Sequence, residues 1–363
     1  MRIKELDGLR GIATLAVIDC HYLAWLPAAG SAYGGLGVDL FLVLSGFLIS
    51  SILLELRESE HYFKTFYSRR AFRIFPPYYL GLAIYFAISV CLGMPGTFRM
   101  WAQYIFYYFS LLIHPIPSYG TRLGVPLAVS LGLVVLWTLS VEEVYYTIWA
   151  PVVRFTKERE LTAILIAMIV LAPMVRWRVL SENLGVGTFY CRMDGLACGS
   201  VVALLIRHRC LSPQMWLRAD RLFDGLVIVM MPLTVGYWLV FKGNALVSAV
   251  GITFADLSFA LITHALVRRA GGNQLWVRIF RAKWLRSIGK VSYSLYLFHY
   301  PLGLVGSEVV AQLHLPRRVN VVSGVLLGLA LSFAVAYGLW YGMESRILRW
   351  TDRKVPSSAH AQA

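Results

Sequence analysis

Apolar residues run in blocks of spanning length from one end of this chain to the other, with polar residues gathered in short segments between them. The blocks lie near 11–29, 36–54, 77–94, 134–153, 161–177, 187–206, 222–241, 245–267, 288–307 and 320–343. At a rise of about 1.5 Å per residue, each can cross a hydrocarbon core of about 30 Å as a helix. The pattern predicts an all-α, polytopic membrane bundle of about ten transmembrane helices. Segment 101–116, WAQYIFYYFSLLIHPI, breaks the alternation, because a further crossing there would invert every later loop. It reads as a half-helix or interfacial segment, the setting that Tyr and Trp favour.

The polar connections set the orientation. ELRESEHYFKTFYSRRAFR, RFTKERE, RHRCLSPQMWLRADR, VRRAGGNQLWVRIFRAKWLRSIGK and RILRWTDRK are basic, whereas the alternate connections, such as PAAGSAYGGLG, carry little charge. With both termini cytoplasmic, about 26 of the 34 Lys and Arg residues fall on one side. The composition agrees. The 363 residues are 58% hydrophobic and 15% charged, with a mean hydropathy of +0.64, more apolar than a soluble domain. The net charge of +15 is then accounted for by topology, and no nucleic-acid partner is expected. The five cysteines are odd in number and lie mostly within apolar runs, without metal-ligand spacing or a disulfide framework. Neither a metal nor a permanently bound cofactor is expected. The opening MRIKELDGLR lacks the features of a cleavable signal, so residue 11 onward reads as a retained first helix. Residues 1–350 read as one integral membrane domain and 351–363 as a short cytoplasmic tail.

Ionisable groups inside these spans are costly in hydrocarbon and therefore informative. LDGLRGIATLAVIDCHYL holds Arg10, Asp19 and His21. Arg10 and His21 are eleven positions apart, three turns plus about 20°, so they share a helix face about 16 Å apart along the axis. Asp39 lies in the second span. WTLSVEEVYY places Glu142 and Tyr146 on one face, with Ser140 nearby and Glu143 turned away by about 100°. YCRMDGLACG supplies Arg192 and Asp194, for which an ion pair is the simplest account. VSYSLYLFHYP puts Ser292, Tyr296 and His299 on one stripe. Asp256 and His264 are also intramembrane, but no pattern ties them to the rest. His21, Asp39, Glu142, Asp194 and His299 fall at similar depth, which one buried polar cavity explains better than separate packing contacts. The first basic connection adds Arg69, Arg70 and Arg73 just before a span starting at Pro76 and Pro77. Guanidinium forks there suit phosphates. Phosphate binders on one side and a buried His and carboxylate further in suit a long phosphorylated donor such as an acyl-CoA.

DGLRGIA with His21, GVDLFLVLSGFLI, RRAFRIFPPYYL, WTLSVEEVYY, RMDGLACG and GKVSYSLYLFHYP, taken in order, resemble the segments of the membrane acyltransferase 3 family. The departures are Leu42 and Thr138, where Phe and Ser are commoner, and neither removes an ionisable group. The resemblance implies a ten-helix bundle in a bacterial cytoplasmic membrane. Such a bundle transfers an acyl group, often acetyl, from cytoplasmic acyl-CoA to a hydroxyl of a carbohydrate, glycolipid or other acceptor. Arg10 and His21 match its first-helix motif, Arg70 and Arg73 its Arg-x-x-Arg motif, and Glu142 and Tyr146 its Glu-containing motif. Some relatives carry an esterase-like domain after the bundle; without one here, a second transfer step is expected to need a separate protein.

The expected mechanism is direct transfer. Arg10, Arg70 and Arg73 hold the donor phosphates, and His21 acts as general base. Glu142 orients His21 or stabilises its imidazolium. Tyr146, Ser140 and His299 polarise the thioester carbonyl. Asp39, Arg192 and Asp194 shape the acceptor side, and Ser292 and Tyr296 support the cavity. An acyl-His21 intermediate stays open, and Cys20 is a weaker nucleophile candidate because it points about 100° away from His21. The rival class is a transporter or flippase of a lipid-linked sugar, which intramembrane charges would also suit.

Overall fold

The computed structural model describes residues 3–23, 35–91, 135–182, 187–207, 221, 225 and 244–355. The expected interfacial segment 101–116 and the expected span 222–241 lie outside these residues, apart from Gly225. All regular structure among the described residues is helical. The helices are α1 (Lys4–Leu23), α2 (Gly35–Leu56), α3 (Tyr62–Cys91), α4 (Trp137–Phe155), α5 (Glu158–Ser181) and α6 (Phe189–Arg207). They continue as α7 (Ala245–Arg268), α8 (Leu275–Phe280), α9 (Lys283–Ala311) and α10 (Arg317–Leu339). A π-helical turn, Trp340–Glu344, leads into α11 (Ser345–Lys354).

Among the described residues, five helices are long and apolar enough to cross a membrane: α2, α5, α6, α7, and α10 with its extension to Lys354. The long helices that are too polar for that test are α1, α3, α4 and α9. These same four carry Arg10, His21, Arg70, Arg73, Glu142 and His299. On α5 the outer face leaves Ile166, Val170, Leu171, Met174 and Trp177 exposed, as a lipid-facing surface would.

Two expectations change. The basic segment before Pro76 is not a loop but the first turns of α3, which runs through both prolines. The missing Pro N–H groups leave the carbonyls of Phe72 and Arg73 without their helical partners. The chain after residue 344 likewise begins as a helix, so a tail starting at 351 is partly structured.

Glycines set how closely the site-bearing helices meet. A Cβ at Gly289 would stand 1.8 Å from the Asp7 carbonyl oxygen, so α1 and α9 touch backbone to backbone. They run in the same direction: Gly11 lies against Leu285, and His21 against His299. On the other side, a Cβ at Gly199 would meet the Val43 oxygen at 1.9 Å, locking α6 onto α2. The motif glycines are thus packing positions; they fix the rotation of helices whose polar faces must meet.

Candidate functional site

α1 supplies both ends of the site. His21 Nδ1 lies 2.9 Å from His299 Nε2 on α9, and His299 Nδ1 lies 2.7 Å from the Tyr296 carbonyl oxygen. His299 is fully buried, and both its ring nitrogens are engaged. Its backbone carbonyl accepts the Tyr22 hydroxyl at 2.6 Å, and that hydroxyl also meets Ser332 of α10 at 2.9 Å. Tyr300 presents its ring edge-on to His21. Asp19, half-buried two positions before His21, lies about 200° round the helix from it.

The stripe on α9 continues from the histidine pair into a cavity of about 60 Å³. Arg10, Val38, Phe41, Thr138, Glu142, Ser292 and Tyr296 contribute to its walls. The Tyr296 hydroxyl accepts from Thr138 at 2.7 Å and donates to the Val135 carbonyl at 3.0 Å. Arg10 Nε is buried here without a hydrogen-bond partner among the described residues. A buried cationic donor left unsatisfied is costly, and an anionic or carbonyl ligand would satisfy it.

Glu142 stands beside Arg10. Its Oε1 accepts from Ser45 at 2.6 Å and its Oε2 from the Tyr146 hydroxyl at 2.7 Å. The carboxylate expected beside His21 is thus bonded elsewhere, to Ser45 and Tyr146, and the side chain that meets the His21 ring nitrogen is His299. The Tyr146 ring lies under the Arg70 guanidinium, 5.5 Å from its centroid. Arg10 in turn feels Arg73, Glu142, Tyr146 and Arg70 as its charged and polar neighbours.

Beyond this cluster opens a larger cavity, about 340 Å³, lined by Arg69, Arg70, Arg73, Thr65, Phe66 and Asp352 among others. Arg70 and Arg73 share its wall, one helical turn apart on α3, as the sequence predicts. Arg69 is committed elsewhere, to the Asp352 carboxylate and the Val355 carbonyl. The π-helical turn points Glu344 inward, where it accepts from Ser294 at 2.6 Å with Arg73 nearby. Such turns often mark functional positions; the sequence reading passed over Glu344. Arg10, Glu142, Tyr146 and Arg70 lie close to one another between the two cavities, so polar groups succeed one another from the α3 arginines toward the α9 stripe that carries His299.

Other candidates gather in a second network. Asp39 pairs with Arg192 at 2.5 Å. Asp194 pairs not with Arg192 but with Arg176, a fully buried arginine of α5, through contacts of 3.1 and 2.6 Å. Arg176 also donates to Thr253, the Ala249 carbonyl and the Cys191 carbonyl. Asp256 sits against the same charges rather than in the His21 cavity. This network ties α5, α6 and α7 together. The sequence reading passed over Arg176, although an arginine inside the apolar block 161–177 is itself a signal of a buried partner. Ser140 is buried on α4 but walls neither cavity. Among the described residues no group of His, Cys, Asp and Glu could hold a metal ion.

Comparison with known proteins bears on this geometry. The family described as an acyltransferase domain matches residues 3–341. Peptidoglycan O-acetyltransferase OatA of Listeria monocytogenes is 27% identical, aligned over 91% of this chain and 54% of its own length. A Bacillus subtilis protein provisionally named peptidoglycan O-acetyltransferase YrhL is 30% identical over 85% of this chain and 49% of its own. O-acetyltransferase OatA of Staphylococcus aureus is 26% identical over 90% and 55%. The chain spans about half the length of these curated relatives. No solved structure matches it significantly. Because the match runs through α1, α3, α4 and α9, which carry the arginine route and the histidine pair, the chain belongs to the membrane acyltransferase 3 family.

Proposed function

We propose that the chain is a membrane O-acyltransferase domain that moves an acyl group, acetyl first, from acyl-CoA to a hydroxyl of a carbohydrate or glycolipid acceptor. The observation that carries the reading is the run of polar groups along a route from Arg70 and Arg73 in one cavity, through Glu142 and Arg10, whose Nε lacks a hydrogen-bond partner among the described residues, to the second cavity beside the α9 stripe that ends in His299. An acyl-CoA is long, anionic at one end and reactive at the other, which is the chemistry that such a route would take. The relatives' names, which concern O-acetylation of peptidoglycan, support a glycan acceptor. The reading takes the chain as a bundle of about ten spans in a bacterial cytoplasmic membrane with both termini cytoplasmic, an orientation supported by the basic connections, in which Arg70 and Arg73 face the donor side.

In this reading Arg70 and Arg73 hold the donor phosphates as bidentate forks. Arg10 meets the donor further in, held by its electrostatic contact with Glu142. The acceptor oxygen attacks the thioester carbon. The carbon–oxygen bond forms, the carbon–sulfur bond breaks, and His21 takes the hydroxyl proton and returns it to the departing CoA sulfur. The products are the ester and free CoA thiol, with no net proton change. Tyr296 and Thr138 shape the cavity wall, their hydroxyl hydrogens being spent on the Val135 carbonyl and on Tyr296.

The test is to give the protein in lipid vesicles acetyl-CoA labelled in the acetyl group, together with glycan fragments. Label appearing as an ester on the glycan is the expected result. Label that stays on CoA while a lipid-linked sugar crosses the bilayer would replace the acyltransferase with a flippase.

A further inference from the structure

Hydrogen-bond logic in the histidine pair settles more than the pairing itself. The Tyr296 carbonyl can only accept, so His299 Nδ1, 2.7 Å away, carries its ring hydrogen. In the neutral ring His299 Nε2 then holds a lone pair. It lies 2.9 Å from His21 Nδ1, so His21 Nδ1 donates. The remaining nitrogen of His21, Nε2, then has no hydrogen and keeps a lone pair able to take a proton. We infer that His299 is a positioning residue that holds His21 as the Nδ1–H tautomer and makes Nε2 the basic nitrogen of the site. The inference rests on the function proposed above, and it names the atom that acts there.

His299 is suited to this and to little else. It is fully buried, and both ring nitrogens are spent inside the protein, so it has none left to polarise a thioester carbonyl. Its own position is clamped from two helices: the Tyr22 hydroxyl donates to its carbonyl at 2.6 Å, and Ser332 holds that hydroxyl at 2.9 Å. Gly289 brings α1 and α9 into backbone contact nearer their N-terminal ends, so the two helices that carry the pair are closely packed. When His21 Nε2 takes the proton, the Nδ1–H bond to His299 becomes charge-assisted and shortens. The acceptor's proton goes to Nε2, and no second proton moves. A triad places a carboxylate where His299 stands. A neutral imidazole supplies the same acceptor without the cost of burying an anion in a membrane bundle.

The experiment combines two readouts on the full chain in detergent or vesicles. The first is ring-nitrogen NMR of isotope-labelled histidine in the wild-type protein, assigned with His21→Ala. It should show His21 protonated at Nδ1 and bare at Nε2. An Nε2–H tautomer would overturn the inference without any variant having to fold. The second is acetyl transfer by His299→Gln and His299→Leu. Gln places an amide oxygen near the old Nε2 and should keep activity within about tenfold, whereas Leu should lose about a hundredfold or more. It should also show mixed His21 tautomers. Full activity in folded His299→Leu would overturn the positioning role. His21→Ala separates the two levels. If it still transfers, the proposed function fails; if it is inactive while His299→Leu is normal, only this inference fails.

Discussion

Replacing Glu142 with Gln tests the polar route at its centre. The carboxylate accepts two hydroxyl hydrogens, from Ser45 at 2.6 Å and from Tyr146 at 2.7 Å. Glutamine keeps the shape but offers one accepting oxygen and one donating nitrogen, so one hydroxyl loses its acceptor and both bonds lose their charge assistance. A hydrogen bond to a charged group contributes about 1.5–3 kcal/mol. The carboxylate also holds Tyr146 beneath Arg70 and faces Arg10, so the loss falls on the groups that seat the donor. If all of it appears in the transition state, kcat/KM for acetyl transfer falls about ten- to hundredfold. Glu143 is the matched control: it is half-buried on the same turn, and its carboxylate makes no hydrogen bond among the described residues. Glu143→Gln should stay within about twofold. Initial transfer rates at matched insertion in vesicles give the comparison. Tyr146→Phe and the double variant complete a cycle, which should be clearly non-additive because the two residues share a bond. A Glu143→Gln enzyme more damaged than Glu142→Gln would refute the reasoning, because it would make the carboxylate without hydrogen bonds, and not the one bonded to Ser45 and Tyr146, the group on which transfer depends.

Arg70→Ala and Arg73→Ala should each weaken CoA binding by about tenfold or more, measured by titration calorimetry, whereas Arg69→Ala should cost less because Arg69 is tied to Asp352 and Val355. Asp194→Asn should destabilise the protein by about 3–5 kcal/mol, since it leaves the buried Arg176 charge uncompensated. A lower thermal midpoint with unchanged turnover per folded molecule would show that effect, and a selective loss of acceptor binding would contradict it. Gly289→Val should prevent α1 and α9 from closing, which protease sensitivity of the inserted protein reads directly.

The elements legible from the apolar pattern are those whose surroundings are lipid and other apolar helices. The bounds expected for α2, α5, α6 and α7 agree with the structure within a few residues. α3 was cut short because Pro76 and Pro77 read as a boundary, and a helix at the edge of a membrane tolerates the two carbonyls they strand. Which residues share a face was also legible: Arg10 with His21, Glu142 with Tyr146, and Ser292 with Tyr296 and His299. Which faces meet was not. Glu142 finds Ser45, Asp194 finds Arg176 and His21 finds His299 because glycines such as Gly199 and Gly289 set the rotation of one helix against another. That choice belongs to packing across the chain and leaves no trace in local spacing. Glu344 depends on a π-helical turn, which shifts the register by one residue and hides the residue from any regular helical count.

The most direct test of the account is a single-turnover measurement of acetyl transfer from labelled acetyl-CoA to a glycan acceptor, made with wild-type protein and His21→Ala in vesicles. Donor affinity should be unchanged, because the arginines proposed to seat the phosphates lie at the far end of α1 and on α3. The transfer step should slow by about 10²–10⁴-fold, the usual contribution of a general base. Transfer by folded His21→Ala at the wild-type rate would contradict the account.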